Sequence, residues 1–117
     1  MAVELLDSEF AELVEQALDS LPPDLASAID NVGIVVSAES PRGQPELLGL
    51  YEGIPLPKRG NNYVGAMPDR ISIFRGPLLR MCHSRDEVVE QVRITVIHEL
   101  GHYFGFDDDQ LHDRGYG

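Results

Sequence analysis

Residues 84–103 read Ser84-Arg85-Asp86-Glu87-Val88-Val89-Glu90-Gln91-Val92-Arg93-Ile94-Thr95-Val96-Ile97-His98-Glu99-Leu100-Gly101-His102-Tyr103, and whether they form a helix or a strand decides the fold. The segment 92–97 is rich in β-branched residues and alternates weakly, as a strand would. Length and capping decide for helix: Ser84 and Glu87, three positions apart, make a capping box, and the periodic stretch then runs to about Tyr103. At about 100° per residue Val89, Val92, Val96, Leu100 and Tyr103 line one stripe, expected to pack against a sheet, while His98 and His102 fall roughly opposite and face a cleft. Ile94, Thr95 and Ile97 add apolar bulk elsewhere, so the helix is expected to be buried over most of its circumference.

On that helix His98 and His102 lie one turn apart on one face, so both imidazoles can direct a ring nitrogen at one metal ion. Glu99 flanks that face, placed to act as a general base on water rather than as a ligand. Gly105, three residues beyond His102, can adopt a left-handed conformation, end the helix and turn the chain back. That reversal brings Asp108 within reach, giving the expected ligand set His98, His102 and Asp108 with an open fourth position. Two nitrogens and a carboxylate suit Zn2+, although iron or manganese would also be held by them. The chemistry this implies is metal-assisted hydrolysis of a peptide bond with Glu99 as the catalytic base.

Outward from the motif, Phe10, Leu13, Val14, Ala17, Leu18 and Leu21 recur at helical spacing, predicting an amphipathic helix over 8–20 capped by Ser8 and ended by Pro22-Pro23. A short helical turn follows over 24–29. The β-branched run 32–37 reads as a strand, 40–45 as a turn, 47–51 as a second extended stretch, and 53–69 as the longest irregular segment. Ile71-Ser72-Ile73-Phe74-Arg75 alternates as a strand with one solvated face would; it could be an edge strand, and as an edge beside the metal helix it could bind an extended peptide by strand addition. Gly76-Pro77 reads as punctuation before the long helix.

The motif resembles the HExxHxxGxxD signature of metzincin-like zinc peptidases, in the variant with aspartate as third ligand seen in snapalysin. The wider chain, through residues 47–53, 68–74 and 87–111, is similar to a family of small bacterial zincin-like metallopeptidases sometimes described as minimal metalloproteases. The resemblance implies one α+β, zincin-like domain over 1–117, with a small mixed sheet packed against a long metal-binding active-site helix. It also implies zinc at His98, His102 and Asp108, Glu99 as general base, and the activity of a zinc metalloendopeptidase. Two departures bear on activity. Met1, Met67 and Met81 all precede the motif, so no methionine turn is expected downstream of it. A sizeable C-terminal wall for the substrate cleft is likewise not expected.

With 20 acidic against 9 basic side chains the net charge is −11, which disfavours a nucleic-acid partner. The lone Cys82 excludes an internal disulfide and is expected buried and inert. With no basic–apolar leader and no membrane-length apolar run, a cytoplasmic location is expected, and a peptide or protein is the expected substrate. Solvated or structural readings are favoured for His112, Tyr103, Tyr116 and the Asp69-Arg70 pair over roles at the site. Two rival functions stand beside hydrolysis of peptides. One is a non-catalytic, zinc-stabilised module that binds another protein. The other is a zinc-dependent endoribonuclease, weakened by Glu99, Asp108 and the acidic surface.

Overall fold

The computed structural model describes residues 3–29, 32–41, 43, 47–53 and 69–113, without the side chains of 108, 111 and 112. Its elements are α1 (Asp7–Asp19), α2 (Pro23–Ile29), β1 (Gly33–Ser37), β2 (Gly49–Glu52), β3 (Arg70–Phe74), α3 (Arg75–Met81), α4 (Arg85–Tyr103) and α5 (Asp108–Asp113). The irregular segment expected over 53–69 lies almost wholly outside the described residues, as do Tyr116 and much of the turn expected over 40–45.

The three strands form a mixed sheet in the order β1-β3-β2, with β1 parallel and β2 antiparallel to β3. This corrects the reading of 71–75 as an edge strand with one solvated face. β3 is central, and Ile71, Ser72, Ile73 and Phe74 are all buried. Ser72 gave the run its apparent alternation, but a central strand covered on both faces can bury a serine as well. Paired on both sides, β3 has no free edge for strand addition. Among the described residues β1 and β2 flank it, and they differ: β1 exposes Val35 and Val36, whereas β2 lies against α4. Arg70 leaves its neighbour Asp69 and instead pairs across strands with Glu52 of β2, at 3.1 Å.

α4 forms as the capping box requires. The Ser84 hydroxyl accepts the Glu87 N–H at 3.1 Å, while the Glu87 carboxylate reaches one residue further back than expected, to the N–H of His83. The helix packs against α1 and against β2 and β3, and Val88, Val92, Thr95, Val96, Ile97, Glu99, Leu100 and Tyr103 are buried. Burial around most of the circumference explains why β-branched residues are tolerated in it: packing outweighs their small helix penalty. The expected apolar stripe is amended at Val89, which is only half-buried, with Val88 fully buried in its place. Phe10, Leu13, Val14 and Ala17 of α1 join Val88, Val92, Val96 and Leu100 of α4, Ile71 and Ile73 of β3, and Leu78 in one core cluster. Cys82 is buried in the same cluster, and burial, with Glu87 adding to it, pushes its thiol above the usual range.

Two local readings are revised. α1 begins at Asp7 with Leu6 at its cap, not Ser8; leucine has no capping oxygen, and what remains is the reciprocal half of a capping box, the Glu9 carboxylate accepting the Leu6 N–H at 2.9 Å. α3 occupies the segment read as punctuation. Pro77 sits in its first turn, where a missing N–H costs nothing, and the Gly76 N–H donates to the Ala38 carbonyl.

Glu9 also pairs with Arg85 in the first turn of α4. The Leu6 N–H chiefly, and Arg85 after it, hold the Glu9 carboxyl below the ordinary carboxylate range. Such a group stabilises the fold above its unfolded-state pKa, and that contribution is lost as pH falls through the folded-state pKa. The melting temperature of Glu9→Gln is therefore expected to fall less steeply on acidification than that of the wild type, with the two curves converging at the acid end. Thermal melts across the acid range check this; parallel curves would contradict it. Among the described residues no helix is long and apolar enough to cross a membrane.

Candidate metal centre

The C-terminal two turns of α4 carry His98, Glu99 and His102, whose potential ligand atoms all lie within 4.8 Å of one another. The two imidazole rings meet edge to face, with centroids 4.9 Å apart and planes at 80°. Glu99 Oε2 stands 3.9 Å from His98 Nε2. Both histidines are half-buried and Glu99 is buried, so the group is a partly sheltered polar cluster on an otherwise packed helix.

The chain reversal at the end of α4 orients one of the rings. Phe104 ends the helix, and Gly105 takes φ +95°, the left-handed conformation expected of it. The Gly105 N–H then donates to the His102 carbonyl at 3.0 Å and the Phe106 N–H to the Gly101 carbonyl at 2.9 Å, the paired bonds of a Schellman turn. Reversal at Gly105 carries the Phe106 carbonyl to 3.0 Å from His102 Nδ1. A carbonyl only accepts, so Nδ1 carries the proton and Nε2 presents its lone pair, the tautomer in which a histidine binds a metal.

Beyond the turn, Asp107 and Gln110 form a reciprocal capping box that starts α5: the Gln110 N–H donates to Asp107 Oδ1 at 2.8 Å and the Asp107 N–H to Gln110 Oε1 at 2.9 Å. Asp-x-x-Gln in the sequence was the available signal for this helix. Asp108 is the first residue of α5. The assignments of Asp108 as third ligand and of His112 as a bystander both fall on side chains outside the described residues.

On its other flank Glu99 meets the sheet. Thr95, Glu99 and Tyr103, at four-residue spacing, form the row of α4 that approaches β2. A Cβ added at Gly49 would fall 2.5 Å from Thr95 Cγ2, Glu99 Oε1 accepts the Tyr51 N–H at 2.7 Å, and the Tyr103 ring lies edge-on to Tyr51 with centroids 6.0 Å apart. The buried packing role expected for Tyr103 thus serves this contact. The Tyr51 hydroxyl donates to the buried Asp69 at 3.0 Å. Gly49 and Tyr51 escaped the motif-based reading. An isolated glycine inside a strand, Leu48-Gly49-Leu50, is the sequence mark of a close backbone approach and could have found them.

A long helix bearing a buried glutamate between two half-buried histidines, laid against a small mixed sheet, defines a zincin-type metal protein. The chain belongs to the zincin-like metallopeptidase family, whose model matches residues 29–117. It is similar in fold to a conserved hypothetical protein from Thermus thermophilus, at a TM-score of 0.59 and 24% identity over 93% of this chain and 99% of that one. No curated protein matches it. Membership in the family implies a metal, and the donor set fits one: two imidazoles, one of them fixed in the ligating tautomer, beside a carboxylate.

The Schellman turn gives a test of the imidazole's support. In Gly105→Ala a side chain is forced into the left-handed region, costing about 1–2 kcal/mol, and the Phe106 carbonyl is displaced from His102. Metal affinity is expected to fall by about 10–100-fold, as when a ligand loses its outer hydrogen bond. Chelator competition together with thermal melting would show both effects; a loss of stability with unchanged affinity would mean that the carbonyl does not matter to the ring.

Proposed function

We propose that this chain is a zinc metallopeptidase of weak or selective activity. Zinc would be held by His98, His102 and Asp108, with Glu99 as the general base and an extended peptide as substrate. The observation that carries the reading is the placement of a buried carboxylate between a histidine pair and the edge of a sheet, His98 and His102 on one side and the Tyr51 backbone on the other. The Tyr51 bond would serve folding by itself; what a motif kept for folding alone has no need of is the second oxygen, Oε2, 3.9 Å from His98 Nε2.

When bound, zinc supplies a Lewis acid that polarises the scissile carbonyl and activates water. The chain's own residues do the rest. Glu99, through Oε2 on the histidine side, takes a proton from the attacking water and passes it to the leaving amine as the C–N bond breaks. The His102–Phe106 hydrogen bond holds one imidazole in place. The buried, solitary Cys82 accords with a reducing, cytoplasmic setting.

Metal analysis of the purified protein, combined with a peptide-library digest by wild type and Glu99→Gln, tests this function. About one zinc per chain in both proteins, with cleavage by the wild type alone, is the expected result. If chelation collapses the thermal transition while Glu99→Gln changes nothing measurable, the zinc-stabilised interaction module is the better account. Cleavage of single-stranded RNA by the metal-loaded protein would favour the nuclease.

A further inference from the structure

Glu99 is tied to a residue 48 positions away by a hydrogen bond that the HExxH pattern does not contain. The strand register explains why that partner is there. The Phe74 N–H donates to the Leu48 carbonyl, and the next partners along the ladder are Leu50 with Ser72 and Glu52 with Arg70. In an antiparallel pair, bonded and non-bonded positions alternate, so Gly49 and Tyr51 turn their backbone groups away from β3. Tyr51 therefore presents an N–H on that side, and Glu99 takes it.

Reach is set by Gly49. A Cβ there would stand 2.5 Å from Thr95 Cγ2, 3.0 Å from the Ser72 carbonyl oxygen and 3.8 Å from Glu99 Cγ. The absence of a side chain lets α4 lie close enough to β2 for a glutamate carboxylate to meet a backbone N–H.

We propose that the Tyr51 backbone N–H is the positioning group of Glu99, with Gly49 as the spacer that admits it. The bond fixes the carboxylate by Oε1 and so turns Oε2 toward His98. A carboxylate held by a short hydrogen bond keeps one rotamer, and a displacement of about 1 Å in a reacting group can cost about 100-fold in rate. The consequence for rate rests on the hydrolase reading above; the clamp itself does not.

The experiment uses the whole chain and has two arms. Amide hydrogen exchange reads the clamp directly. The Tyr51 N–H is expected to exchange about 100-fold more slowly in the wild type than in Glu99→Ala, while the Leu50 and Glu52 amides, bonded within the sheet, change by no more than about threefold. Gly49→Ala, which keeps the carboxylate but forces helix and strand apart, is a second variant with the same expected loss. Equal exchange of the Tyr51 amide in wild type and both variants overturns the clamp.

For the second arm, residue 51 is incorporated as the 2-hydroxy acid counterpart of tyrosine, so that an ester oxygen replaces the N–H and the phenol is retained. Peptide hydrolysis is expected to lose about 10–100-fold in kcat, with KM and zinc affinity within about twofold. A change confined to KM or zinc affinity, or none, overturns the positioning role. If the wild type itself cleaves no peptide, the hydrolase reading fails and the exchange arm alone decides the clamp.

Discussion

Glu99→Gln is expected to lower kcat/KM for peptide hydrolysis by about 10²–10⁴-fold, the range that a positioned general base contributes, while leaving the chain folded and loaded with zinc. The amide is nearly isosteric with the carboxylate, and its carbonyl oxygen can still accept the Tyr51 N–H that Glu99 Oε1 accepts at 2.7 Å. The contact between α4 and β2 therefore survives, and with it the local packing of Thr95 and Tyr103. Neither imidazole is altered. What disappears is the ability to take and return a proton, together with one negative charge beside the histidines, so zinc affinity should change by less than about tenfold. Steady-state kinetics on a peptide identified from the library digest, with metal content measured on the same samples, gives both quantities. A variant that retains its zinc and loses less than about tenfold in rate would remove Glu99 from the role of base.

The local part of this site was legible in the sequence because it is written within single elements. His98, Glu99 and His102 are fixed relative to one another by helical spacing, and Gly105 by the demand for a left-handed residue at a helix end, so their arrangement follows once α4 is read as a helix. The capping box at Ser84 carried that reading against the β-branched run, and burial of α4 between α1 and the sheet shows what outweighed strand propensity there. Failures occurred where a second element was needed. Whether 71–75 lies at the centre or the edge depends on which strands pair with it, and the single polar Ser72 imitated a solvated face. The partner of Arg70 is Glu52 across the sheet, not Asp69 beside it in sequence. The strand that meets Glu99 belongs to a stretch, 47–53, that shared in the family resemblance without any metal-binding side chain of its own, and the glycine at 49 was its mark of a close approach.

α3 and α5 lie outside the sequence reading for local reasons, a misleading signal in the first and an overlooked one in the second. Gly76-Pro77 reads as a breaker, yet within the first turn of a helix proline loses no hydrogen bond, and the Gly76 N–H is satisfied by Ala38 across a chain reversal. In the acidic run 107–109 Asp108 reads as the third ligand, yet Asp107 and Gln110 cap each other and start a helix at that residue. The turn at Gly105 and the box at Asp107 together set the path of the chain between His102 and Asp108.

His102→Ala separates metal retention from proton transfer, and it is expected to do the reverse of Glu99→Gln. Structural zinc sites with four protein ligands bind with about 10–16 kcal/mol, or roughly 3 kcal/mol per ligand, so loss of one of three expected ligands should weaken binding by about 100-fold or more. The metal-free fold should hardly notice: His102 is only half-buried, and its Nδ1 partner, the Phe106 carbonyl, keeps its place through backbone bonds that the substitution does not touch. Its cost there should stay within about 1 kcal/mol. Linkage turns this into a melting experiment. At free zinc about 100 times the wild-type Kd, binding stabilises the wild type by about 2.7 kcal/mol, close to 10 °C for a domain of this size, whereas His102→Ala at the same zinc gains less than about 0.5 kcal/mol. Wild type and Glu99→Gln should therefore rise together on addition of zinc, and His102→Ala should stay at the metal-free melting temperature. If His102→Ala rises with them, the metal is held elsewhere and Glu99 has no metal beside it to work with.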